Sequence, residues 1–144
     1  MGTRTSTAQT ITPGTEATVL TLTGVPTTAS ANQVKVDAEF QVNVTGLVAV
    51  GFNVIARLYR DFGGPNQLLL AEQVNSGVVE IITAIVIPAI VSGDVTAVDN
   101  LAALAPITES YTLRIQVDLL VAVAATVTVT NRAINVVVGS VAPA

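Results

Sequence analysis

The chain has 144 residues and a mass of 14.7 kDa, enough for one domain with a sizeable core and too few for two. Hydrophobic residues make up 51% and charged residues only 11%, against roughly 25% in ordinary soluble domains, so something other than charge must cover the surface. With no His and no Cys there is no imidazole base, thiolate, zinc finger or disulfide framework, and a net charge of -4 with one lysine and five scattered arginines leaves no basic stripe for phosphates.

The composition therefore predicts a protein that is not an enzyme, carries no cofactor or metal, and binds no nucleic acid. The apolar character raises the membrane question. Residues 81–93 and 119–131 are uncharged but fall short of the roughly 18 to 20 apolar residues of a spanning helix, and Pro88 interrupts the first. A membrane β-barrel wants aromatic girdles, whereas this chain has Trp 0, Tyr 2 and Phe 3, so no membrane association is expected. Met1-Gly2-Thr3-Arg4-Thr5 has no apolar run behind it, which predicts no signal peptide.

Residues 1–16 are threonine-rich and contain Pro13-Gly14; they read as a flexible arm ahead of a domain over 17–144. Residues 17–23 form a first strand, broken by Gly24-Val25-Pro26. In 34–45 the apolar residues Val34, Val36, Ala38, Phe40, Val42 and Val44 alternate with Lys35, Asp37, Glu39, Gln41, Asn43 and Thr45, which predicts a strand with one dry and one wet face. A third strand over 48–61 puts Val50, Phe52, Val54, Ala56 and Leu58 on one side. Phe62-Gly63-Gly64-Pro65-Asn66 then reads as a hairpin loop.

A short strand over 67–73 follows, then a turn at Asn75-Ser76-Gly77 and an apolar strand over 78–91 that Pro88 consigns to an edge or bulge. Residues 98–105 are a loop with at most one helical turn, capped by Asp99 and stopped by Pro106. Tyr111, Leu113, Ile115, Val117 and Leu119 point inward from a strand over 111–119. Residues 121–130 alternate valines with small residues, and Asn131-Arg132 reads as a turn into a last strand over 133–138. The sum is an all-β, antiparallel jelly-roll sandwich of about eight strands.

Two of these strands look dry on both faces. Ile82, Ala84 and Val86 lie opposite Ile81, Ile85 and Ile87, and Ala122 and Ala124 lie opposite valines. One sandwich of this size has a single internal core layer, so these residues are expected at a subunit interface. In the arm, Thr10, Ile11 and Thr12 form a strand-prone patch that would dock onto a neighbour by strand addition and link copies. The alternatives are a central strand covered by its own domain and a floppy terminus.

The polar residues offer little chemistry. Lys35, Asp37 and Glu39 share one face and read as a solvated ion-pair surface. Asp94, Asp99 and Asn100 sit close in sequence but match no calcium-loop spacing. Lys35 is on the wet face, which argues against a buried isopeptide crosslink. Sugar sites want a platform aromatic, and only Tyr59, Tyr111 and Phe62 lie near loops or strand ends.

The threonine-rich leader, Val-Lys-Val-Asp-Ala-Glu-Phe at 34–40, Val-Ile-Ala-Arg-Leu-Tyr-Arg-Asp at 54–61 with its Gly-Gly loop, and Tyr-Thr-Leu-Arg-Ile-Gln-Val at 111–117 together resemble the small jelly-roll proteins of bacterial spore surfaces. These are the trimeric, tumour-necrosis-factor-like C-terminal domains of collagen-like exosporium glycoproteins and the subunits of endospore appendages. The resemblance covers about 17–138. It implies a homotrimer or filament on a spore surface, made in the mother cell without a signal peptide, with itself and other spore-surface proteins as partners. The sequence departs from appendage subunits in having no terminal cysteines and from the glycoproteins in having no Gly-X-Y stretch. The reading is a self-assembling structural protein; a carbohydrate-binding or adhesive tip, or a virion fibre or decoration protein, is the alternative.

Overall fold

Strict alternation over residues 34–45 makes one strand of the sheet both wettable and dry, and the rest of the chain is organised around it. A computed structural model describes residues 1–140; the end of the domain expected over 17–144 lies outside the described residues. The strands are β1 (Gly2–Thr5), β2 (Gln9–Ile11), β3 (Ala17–Pro26), β4 (Gln33–Gly46), β5 (Val50–Arg60), β6 (Leu68–Ile82), β7 (Ile85–Ile87), β8 (Ala89–Asn100), β9 (Thr108–Leu119) and β10 (Ala125–Gly139).

All pairings are antiparallel. One sheet has the order β1-β10-β4-β8, with β2 also on β10, and the other the order β3-β9-β5-β6-β7. The two curl over a shared core, giving an all-β sandwich consistent with a jelly roll. The expected inward rows of β4, β5 and β9 are buried, including Phe40, Phe52, Leu58, Tyr111 and Ile115, except that Leu119 at the end of β9 is half-buried. Side chains that alternate at period 2 can bury one row against the facing sheet only in this arrangement.

Several local readings are corrected. Residues 1–16 are not a free arm: β1 and β2 pair with β10 of the same chain, because the open edge of β10 offers unpaired N–H and C=O groups to any extended segment that reaches it. Asn75-Ser76-Gly77 is not a turn but the middle of β6, opposite Val54, Asn53 and Phe52. The glycine is there for space, since a Cβ on Gly77 would stand 2.5 Å from Cζ of Phe52.

The apolar run 78–91 is not one strand. It folds back at Thr83 and Ala84, which take φ of 50° and 61°, so that Ile82 pairs with Ile85 and Glu80 with Ile87; past Pro88 the chain crosses to the other sheet as β8. Residues 98–100, read as part of a loop, complete that strand opposite Gln33, Val34 and Lys35.

Asn131-Arg132 is likewise no turn. β10 runs through it with a register shift between Val129 and Arg132, so the buried row changes parity from Val127 and Val129 to Ile134 and Val136, the mark of a β-bulge. Two similar shifts in β3 bury every third residue, Val19, Leu22 and Val25, where the sequence suggested a break at Gly24.

Candidate functional site

Antiparallel pairing with short connections sorts the loops to two ends of the sandwich. Connections 12–16, 47–49, 83–84 and 120–124 lie at one end, and 27–32, 61–67 and 101–107 at the other. The first end is apolar. Leu47 is 84% exposed, Ile85 66%, Leu120 65% and Val121 62%, and Ile81, Ile82 and Val48 are exposed beside them. The main-chain N–H of Leu120 donates to the carbonyl of Gly51 at 2.9 Å, which fastens the 120–124 loop to the start of β5. No charged residue occurs in 41–56, 81–93 or 119–131, and the charges that border the apolar loops are Glu80 at the base of the hairpin and Asp118 two residues before Leu120.

The structure brings together here two sets of residues that the sequence placed on separate strands. Ile82 and Ala84 are exposed and Val86 is half-buried at the β6–β7 hairpin, while Ala122 and Ala124 are exposed in the loop ahead of β10. Their expected position on dry strand faces is corrected: Ala84 is in a turn and both alanines are in a loop, because the strands begin and end elsewhere. The outer face of the first sheet is wet, with Lys35 Nζ 3.7 Å from Asp37 Oδ2 at its centre.

Thr10 and Ile11 lie on β2, opposite Thr128 and Val127, and Ile11 is only 4% exposed in the chain's own core. Thr12 begins the turn to β3, its carbonyl accepting the N–H of Thr15. The residue that fixes this segment was missed in the sequence. Arg132, inside the β10 bulge, donates from Nε to the carbonyl of Val19 at 2.7 Å, from Nη1 to the carbonyls of Thr7 at 2.5 Å and Thr130 at 2.7 Å, and from Nη2 to Gln9 Oε1 at 3.3 Å. Among the described residues no carboxylate pairs with it, and burial lowers its pKa. At the start of the chain the Met1 carbonyl accepts the N–H of Val136 at 2.8 Å.

The remaining polar clusters are spoken for internally. At the second end Asp99, 2% exposed, accepts from Arg60 Nη1 at 2.6 Å and from the Tyr111 hydroxyl at 2.9 Å; burial, then the neighbouring carboxylate, pushes the Tyr111 pKa up. Asp94 and Asn100 share β8 with it, and among the described residues no cluster of three acidic, His or Cys side chains is placed to hold a metal. On the outer face of the second sheet Glu16 lies 3.6 Å from both Arg57 and Arg114, and Arg114 covers the Phe62 ring at 4.1 Å. Tyr59 packs edge-on to Phe62. The aromatics considered for sugar stacking are thus taken up: Phe62 by Arg114 and Tyr59, Tyr59 by Phe62, and Tyr111 by the core.

A depression of about 610 Å³ opens over the first sheet between Arg4, Glu39, Gln41, Ser92 and Asn131. It is lined by polar side chains of the wet face and presents no nucleophile beside a base. Among the described residues no helix is long and apolar enough to cross a membrane. Comparison with known proteins gives no matching family model and no similar curated protein.

Proposed function

We propose that the protein is a non-enzymatic structural subunit that assembles with copies of itself into an oligomer or filament on a cell or spore surface. The observation that carries the reading is the way residues 1–11 are held. They fill the open edge of β10 through main-chain pairing, and Ile11 is the only one of their side chains that is buried. A terminal edge strand that contributes backbone bonds and little core is separable from its own domain, and the edge it leaves accepts the same segment from a neighbour at the same register. In this reading residues 1–12 pass together from one copy to the next, β1 carrying most of the ladder and Thr10, Ile11 and Thr12 completing it. The low charge density fits a surface meant to be covered by other copies, and the resemblance to spore-surface jelly rolls supplies the setting.

Negative-stain microscopy and light scattering of the full chain test it, alongside a chain lacking residues 1–5, which keeps Thr7 and Gln9 on Arg132. The full chain is expected to give regular assemblies and the shortened one, still folded by circular dichroism, to lose or shorten them. A full chain that stays monomeric, or assemblies that survive the truncation unchanged, overturns the reading.

A further inference from the structure

We infer that the apolar end is a second contact surface, distinct from the β10 edge, and that its occupant is the same end of a second copy, the two β7 strands pairing across a two-fold axis. β7 is the outermost strand of its sheet and, among the described residues, pairs only with β6, so the N–H and C=O groups of its outer edge call for an extended strand as partner. Its three-residue length is the one thing that limits this edge: Ile85, Val86 and Ile87 carry no charge, whereas natural edge strands are also guarded by lysine, inward charges or proline. Pro88 stands just past the strand and leaves its donors intact.

The flanking surface selects a like partner. Copies of a chain with net charge -4 repel one another over most of their surface, and the loops of this end let two copies meet without facing like charges, Glu80 and Asp118 being set back within β6 and β9. A membrane surface is disfavoured, because the end has no lysine, arginine, tryptophan or tyrosine to anchor at a headgroup layer. The opposite end is a poorer match, since its loops read Thr-Thr-Ala-Ser-Ala-Asn at 27–32 and Asp-Phe-Gly-Gly-Pro-Asn-Gln at 61–67.

The hairpin turn adds a second sign. Thr83 and Ala84 both adopt positive φ, in a turn class that favours Asn-Gly; a β-branched residue there is strained, and strained segments persist where a contact uses them. Two strands related by a two-fold axis are antiparallel, so Val86 would face Val86 and Ile85 would face Ile87 of the second copy. The two hairpins then form one continuous sheet with Leu47, Ile82 and Leu120 closing over it.

The chain has no cysteine, which makes Val86→Cys a clean probe in the full-length protein. Mild oxidation is expected to yield a disulfide-linked dimer of Val86→Cys, and no dimer of the control Val137→Cys, an exposed position on the wet sheet. In light scattering up to about 100 µM the parent is expected to associate at least to dimers, and Ile85→Glu to raise the concentration this takes at least about tenfold. Equal crosslinking at 86 and 137, a parent monomeric throughout, or sedimentation of the parent with phosphatidylcholine vesicles in place of dimerisation overturns the inference. Removal of residues 1–5 is expected to leave the Val86→Cys crosslink intact, so failure of strand exchange at β10 and failure of this contact are read separately.

Discussion

Nη1 of Arg132 donates to the main-chain carbonyl of Thr7 at 2.5 Å, joining residues 125 apart in sequence. The bond makes a buried cation, supported by oxygens of the backbone and one glutamine, the clasp of the N-terminal segment. Arg132→Met would leave the Val19, Thr7 and Thr130 carbonyls without their donor. We expect a stability loss of about 2–4 kcal/mol and faster amide hydrogen exchange at Thr3, Arg4 and Thr5 than in the rest of β10's sheet. Exchange at β1 that stays as slow as at β4 would show that the main-chain ladder alone holds the segment.

Asp99 joins Arg60 and Tyr111 under the loop 101–107, and the three are unequal. Asp99→Ala leaves the Arg60 side chain, 12% exposed, without its counter-charge and is expected to cost about 3–5 kcal/mol. Tyr111→Phe removes one hydroxyl from Asp99 and keeps the ring in the core, so about 1–2 kcal/mol is expected. Urea unfolding of the two variants checks the order; a larger loss for Tyr111→Phe would contradict it.

Glu109 is 4% exposed, accepts one N–H from Ser110 at 3.1 Å and leaves Oε2 buried without a partner. Burial raises its pKa above the ordinary carboxylate value. The folded state therefore holds this proton at a pH where the unfolded chain has released it. Its contribution to stability is full below the unfolded pKa and is lost as pH rises through the folded one. Glu109→Gln removes the titration, and a gain of roughly 1 kcal/mol near pH 8 with little or none near pH 4 is expected. Thermal unfolding across that range decides it, and a uniform gain at both ends would point to packing instead.

Much of the architecture was legible because period-2 alternation states which row of a strand is dry. In β4 and β5 no bulge intervenes in that row, so Val34 through Val44 and Val50 through Leu58 could be assigned inward from sequence alone. The bulged strands were not legible. In β10 the buried row shifts between Val129 and Ile134, and in β3 the buried residues stand three apart; an unpaired extra residue is indistinguishable in sequence from the end of a strand. Gly77 misled for a related reason, since a glycine that makes room for the Phe52 ring and one that turns the chain look the same until the ring is placed.

The contact surfaces divide along the same line. Composition showed that this chain has too little charge for an ordinary surface, and alternation showed that Lys35, Asp37 and Glu39 face water; both follow from residue chemistry and nearest neighbours. That Ile82 and Ile85 lie at the same end of the sandwich as Leu47 and Leu120, that residues 1–11 lie on β10, and that Arg132 reaches Thr7 depend on which distant strands become neighbours. That choice is made by burying the whole set of apolar rows at once, and no local stretch of the chain carries it.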